Sequence, residues 1–238
     1  MALYIGTAGW TIPSRYGGAF AMDGTHLERY AQKLDAVEIN SSFYRAHKPA
    51  TYERWAASVP ASFRFAVKMP KAISHEHKLV GCDALVARFG EELAGLGDKL
   101  GVVLVQLPPS FAHDAALTET FFIELRRHIK APVALEPRHG SWLTPEVEAR
   151  LKALQVARVA ADPAVVPGAD APGGWDGLVY RRLHGSPRIY YSNYEPAVLD
   201  ATRDALAADA ARGVPTWCIF DNTAAFAALG NALTVLGR

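Results

Sequence analysis

With 238 residues, half of them hydrophobic and 21% charged, the chain has the composition of an ordinary globular protein and not of a disordered or collagenous one. Its 25 Lys plus Arg against 24 Asp plus Glu leave a formal net charge of +1, which gives no overall pull toward nucleic acid or a membrane surface, so attraction for an anion must be local. Cys82 and Cys218 lack metal-ligand spacing and read as reduced, buried thiols, the chain starts without a signal-peptide pattern, and no run reaches the roughly 20 apolar residues of a membrane span, so a cytoplasmic location is expected.

In chain order, residues 3–6 read as a first strand, and Thr25 with Glu28 forms a capping-box signature ahead of Leu27, Tyr30, Ala31 and Leu34. Apolar, strand-like runs follow at 36–39, 63–68, 102–106 and 133–136. Thr144 and Pro145 then supply an N-cap and a first-turn proline for a helix, and a sixth run covers 156–162. Residues 163–176, rich in Pro and Gly, read as a long loop. A seventh run at 178–184 precedes an alanine-rich helix over 196–212 and an eighth run at 216–221. A last amphipathic helix is expected over 223–236, closed by Gly237.

Most of these runs are continuous in Val, Ile, Leu, Ala and Phe, as parallel strands covered on both faces require. Eight strands alternating with helices predict one (β/α)8 barrel domain over residues 1–238, of the TIM type, with a loop in place of a regular helix between strands six and seven. An open doubly wound sheet is the second choice, but no G-x-G-x-x-G follows the first strand, and Trp10 stands where a pyrophosphate needs free backbone.

Polar and ionisable residues gather where these strands end: Glu38 and Asn40, Lys68, Gln106, Glu136 and Arg138, Asp162, Arg182 and His184, Asp221 and Asn222. In a parallel barrel those ends converge on one face. Side chains two apart share a strand face, so Glu38/Asn40, Glu136/Arg138 and Arg182/His184 form pairs pointing into the barrel, with Tyr180 below and Arg181 and Leu183 turned outward. Candidate catalytic residues are Glu38 or Glu136 as base, His184 as acid or proton shuttle, and Asp162. Lys68, Arg138 and Arg182 form an anion clamp, and Asn40, Gln106, Trp10, Tyr44 and Asn222 complete the substrate contacts.

The expected ligand is a small phosphorylated or carboxylated compound, transformed by hydrolysis, elimination or isomerisation without a cofactor. Four alternatives stand beside this. A divalent metal at Glu136, Asp162 and His184 suits the oxygen-rich set, although three cations compete for its carboxylates. Nucleic-acid binding or cleavage suits an aromatic and arginine rim but not the net charge. The site is otherwise a ligand-binding pocket without catalysis, or a self-neutralising ion network. Oligomeric state is not legible.

The chain also resembles the DUF72 (YecE-like) family. The resemblance rests on G-T-A-G-W at 6–10, V-E-I-N-S-S-F-Y-R at 37–45, F-A-V-K-M-P at 65–70, L-V-Q-L-P-P-S-F at 104–111, L-E-P-R-H-G-S-W at 135–142, R-L-H-G at 182–185 and F-D-N-T at 220–223. It implies a TIM barrel with a polar cavity at the strand ends and supplies no activity. Pro137, where relatives usually carry an aromatic or aliphatic residue, removes a ladder donor and predicts that the fifth strand ends at Glu136. Asp221 stands where Asn is frequent.

Overall fold

The computed structural model describes residues 2–237. Its strands are β1 (Leu3–Ala8), β2 (Ala36–Ile39), β3 (Arg64–Lys68), β4 (Leu100–Gln106), β5 (Val133–Glu136), β6 (Val156–Arg158), β7 (Ala160–Asp162), β8 (Gly173–Gly174), β9 (Val179–Leu183) and β10 (Thr216–Phe220). They form one sheet in the order β7-β9-β10-β1-β2-β3-β4-β5-β6-β8, parallel throughout except for the β6–β8 pair. The segment 156–162 joins the two ends of that order. Its first half pairs with β5 and its second with β9, and between them Val159 N–H donates to the Leu135 carbonyl at 2.8 Å. The result is a nearly closed α/β barrel.

Around it lie α1 (His26–Tyr30), α2 (Ser41–Tyr44), α3 (Pro49–Ala57), α4 (Asp83–Leu93), α5 (Ala115–His128), α6 (Pro145–Ala153), α7 (Pro196–Ala211) and α8 (Ala228–Leu236). Thr25 and Glu28 form the capping box of α1, and Thr144 accepts from Val147 N–H at the start of α6. The last helix begins at Ala228 and not at residue 223. Ala224 N–H donates to the Tyr190 carbonyl at 3.0 Å, and Phe226 has φ +60°, so this stretch is tied to the loop after β9 and cannot join the helix. Residues 163–172 form bends and turns without a helix, and β8 follows them. Among the described residues no helix is long and apolar enough to cross a membrane.

Alternation along the strands sorts the side chains. Val37, Phe65, Val103 and Leu135 face outward into the core shared with the helices, while Ala36, Ala66, Leu104, Ala134, Ala157 and Ile219 face inward around Tyr180 and Trp217. Those two large rings stack with centroids 5.9 Å apart. Small partners make room for them. At Gly101 a Cβ would lie only 2.4 Å from the Trp217 ring. The apolar plug fills the lower barrel, so the next inward layer is raised toward the C-terminal strand ends.

Candidate functional site at the barrel mouth

That next layer is ionic. Arg182, two residues beyond Tyr180 on β9, is fully buried, and its guanidinium reaches three carboxylates. Nε and Nη2 donate to Glu38 at 3.0 and 2.6 Å, Nη1 donates to Glu136 at 2.6 Å, and Nη2 also donates to Asp221 at 3.0 Å. Tyr180 donates its hydroxyl to Glu38 at 2.8 Å from below. His184, the next inward position, bridges Asp221 through Nδ1 at 3.0 Å and Glu136 through Nε2 at 3.2 Å. Glu136 Oε1 further accepts from Gln106 Nε2 at 3.2 Å and from Arg138 Nε and Nη2 at 3.0 and 2.9 Å, while Asn40 Nδ2 donates to Asp221 at 3.4 Å. Arg181, of opposite parity, pairs outward with Asp209 of α7.

The loop after β9 roofs this layer. Gly185 has φ +95°, and a Cβ there would lie 2.8 Å from the Ser192 carbonyl, so the R-L-H-G motif needs its glycine for the chain to fold back. Tyr190 consequently stands edge-on over His184 with ring centroids 5.8 Å apart, and its hydroxyl lies 3.4 Å from Arg138 Nη2.

Lys68 is different. It ends β3, half-buried, with no carboxylate within 4 Å among the described residues, and its ammonium rests 4.2 Å from the centre of the Phe43 ring. His75, in a single π-helical turn (Ala72–Glu76), contacts the same ring edge-on at 4.9 Å. Phe43 also lines, with Ile73, Leu85 and Phe89, a cleft of ≈ 300 Å³ whose lining includes neither Lys68 nor His75.

Across residues 4–238 the chain matches the model of a family described as protein of unknown function DUF72. The chain belongs to the DUF72 family. UPF0759 protein YecE of Escherichia coli K12 is 35% identical to it over 109 residues, a match covering 46% of this chain and 39% of YecE. The chain therefore aligns with about two-fifths of that relative's length. Crystal structures of DUF72 family proteins from Enterococcus faecalis V583 and Thermotoga maritima MSB8 superpose with TM-scores of 0.83 and 0.82, each at 22% identity. The first match covers 99% of this chain and 96% of that one, the second 100% and 98%. These two likenesses bear on the fold.

Of the residues expected at this DUF72 site, Glu38, Asn40, Gln106, Glu136, Arg138, Arg182 and His184 are joined in one hydrogen-bonded cluster, with Lys68 beside it. Asp162 is not. Register places it beside outward-facing Leu183, where Oδ1 accepts from the Tyr194 hydroxyl at 2.7 Å. That removes it from the set proposed for a metal with Glu136 and His184, and no group of three or more His, Cys, Asp or Glu among the described residues is placed to hold an ion. Asn222 also turns away. Its amide donates to the Ser192 carbonyl and to Asn231 of α8, so it pins the roof loop. Trp10 packs on Trp55 of α3, and Tyr44, 74% exposed, stands edge-on to Phe43 at the cleft. Arg182 is committed to protein carboxylates, so it organises the floor and does not offer a clamp. Asp221, counted among the strand-end residues but not among the expected catalytic or substrate contacts, is bonded into the cluster, Tyr190 lies over it, and His75 lies outside it against Phe43.

Burial alone would raise Glu136, but Arg182, His184 and Arg138 together hold its carboxyl well below the usual range. Burial likewise raises Asp221, and Arg182 and His184 reverse that, leaving it lowered. For His184 burial works downward and Glu136 and Asp221 prevail, so the imidazolium is favoured. Lys68 goes the other way: burial and then Arg182 outweigh Glu38, Glu136 and Asp221, and the amine is brought down to about 8. His75 is lowered by burial and by the charges of Lys68 and Arg138, which keeps it neutral.

Proposed function

We propose that the protein is an enzyme performing acid–base chemistry on a small anionic compound, phosphorylated or carboxylated, at the C-terminal face of the barrel. The observation that carries this reading is Lys68, a half-buried cation with no carboxylate within 4 Å among the described residues, beside a cluster in which Arg182 is fully paired. A purely structural ion network would neutralise each member. Here Lys68 moves protons, Arg138 grips the anion with the part of its fork that faces the roof, and His184 donates a proton once Tyr190 and the loop move aside. Glu38, Glu136 and Asp221 keep Arg182 and His184 in place and do not act as bases, because their oxygens are already engaged.

A screen of phosphorylated and carboxylated metabolites tests this. Turnover is expected, and Lys68→Met should reduce it by about 10²–10⁴-fold, the worth of one positioned proton-transfer group. The same variant is expected to unfold at slightly higher urea, a gain of about 1 kcal/mol, because it removes an uncompensated ammonium and loses only the Phe43 ring contact. Turnover that survives in Lys68→Met refutes the role; binding without turnover in the wild type replaces the enzyme reading with that of a sensor or carrier.

A further inference from the structure

The cleft between α2, the π-helical turn Ala72–Glu76 and α4 has a charged as well as an apolar lining. We propose that it is a second binding site, for a small molecule that joins a primary ammonium to an apolar group, with Glu92 as the anchor of the ammonium; the zwitterion of an apolar amino acid fits it best. This site is separate from the barrel mouth and does not rest on the enzyme reading above.

Phe43, Ile73, Leu85 and Phe89 supply the apolar lining, and the ≈ 300 Å³ between them and the charged residues is at the small end of ligand pockets, room for one small molecule. Two of the four are phenyl rings, which take another ring edge-on or offset. The charged anchor is Glu92 of α4, which lines the same cleft and is only 8% exposed. Its Oε1 accepts from Arg88 Nε at 3.1 Å, but the arginine side chain is 69% exposed, so that pair is worth little. Oε2 has no hydrogen bond among the described residues. Tyr52, fully buried and close enough to Glu92 to feel its charge, has a hydroxyl that also lacks a hydrogen-bond partner. Around Glu92, then, buried polar atoms outnumber the partners the protein supplies, and a donor arriving from outside relieves that cost.

The other charges select a zwitterion over a bare cation. Arg45, Lys71 and Arg88 against Glu76 and Glu92 leave a net +1 around the cleft, which opposes a bare cation. Lys71 and Glu76 pair with each other at 3.0 Å. Arg45, exposed, joins no ion pair among the described residues and is left for a ligand carboxylate. Burial ranks the two contacts. A pairing at Glu92, where water is scarce, is worth more than one at exposed Arg45, so the ammonium gives the affinity and the carboxylate adjusts it. A carboxylate without an ammonium brings a charge of the wrong sign toward Glu92.

The test titrates the full chain by calorimetry at neutral pH with L-phenylalanine, phenethylamine, 3-phenylpropionate and N-acetylphenylalaninamide, which keep the ring and vary the charges. L-Phenylalanine is expected to bind with a dissociation constant of about 1 mM or lower, and 3-phenylpropionate at least about tenfold more weakly. Glu92→Gln should weaken L-phenylalanine by about tenfold or more, and Leu85→Arg, which fills the cleft from its partly buried wall, should abolish binding, circular dichroism confirming that each variant folds. Arg45→Ala should cost L-phenylalanine about two- to fivefold and phenethylamine nothing. No binding of L-phenylalanine, or equal binding of 3-phenylpropionate, overturns the proposal. So does N-acetylphenylalaninamide binding as tightly as L-phenylalanine, the result expected of a groove that takes an apolar residue of a protein partner. Binding that survives both Glu92→Gln and Leu85→Arg places the amino acid elsewhere on the molecule and overturns it as well.

Discussion

Arg182→Met is expected to destabilise the protein by about 3–5 kcal/mol, the cost of removing one partner from a buried ion cluster. The side chain itself is not the issue, because Met fills much of the same volume. What remains behind is: Glu38, Glu136 and Asp221 would share a nearly water-free layer in which the one guanidinium left, that of Arg138, reaches Glu136 alone. Three carboxylates in that space must take up protons or admit water, and either course weakens the packing above Tyr180 and Trp217. Arg182→Lys is expected to recover little, since a single ammonium cannot meet Glu38, Glu136 and Asp221 in the fork geometry of four hydrogen bonds. Urea denaturation at pH 7 measures both. A loss below about 1 kcal/mol for Arg182→Met would mean that the cluster is hydrated and loosely held.

The second large effect is with pH. Glu136 and Asp221 have folded-state values below their ordinary ones, so their contribution is present above about 4 and is lost as pH falls through the folded values. Stability should therefore drop on acidification by about 1.4 kcal/mol per pH unit for each group that is protonated only in the unfolded chain. His184 has the opposite sign. Raised in the folded state, it stabilises fully below about 6.5 and its contribution is lost as pH rises through its folded value. Lys68, lowered to about 8, destabilises in its protonated form, and that cost is relieved between about 8 and about 10.4. The wild type should then show a steep acid limb, a loss from His184 that begins above about 6.5, and a gain from Lys68 between about 8 and about 10.4. Lys68→Met removes the relief and should fall more steeply above pH 8 in chemical denaturation. Parallel alkaline limbs would show that Lys68 carries no such cost.

Much of the barrel was legible because parallel strands covered on both faces leave unbroken apolar runs, as at residues 102–106 and 133–136. Pro137 marked the end of β5 for the reason expected, a missing donor. Side-chain parity also located the cluster: Tyr180, Arg182 and His184 all face inward. Applied to the neighbouring strands, the same rule identifies the two misplacements. Asp162 shares a face with Arg158, which reaches out to Glu148 of α6, and Asn222 is out of phase with inward Trp217, Ile219 and Asp221. What parity cannot reveal is pairing. Which cations Glu38, Glu136 and Asp221 choose depends on distances across the barrel, so the full commitment of Arg182 and the isolation of Lys68 emerge only in three dimensions. His75 lies beyond the strand ends, in the π-helical turn Ala72–Glu76 that follows β3, where strand parity says nothing of its direction.

The isolation of Lys68 is the point on which the rest depends, and its titration tests it most directly. In protein carrying lysine labelled with ¹³C at Cε, one resonance, absent from Lys68→Arg, is expected to titrate at about 8, well below the ordinary lysine value of about 10.4. A Lys68 resonance titrating at about 10.4 or above would mean that a carboxylate of the cluster holds the ammonium in solution, and the mouth of the barrel would then be a closed ion network with no group free to react.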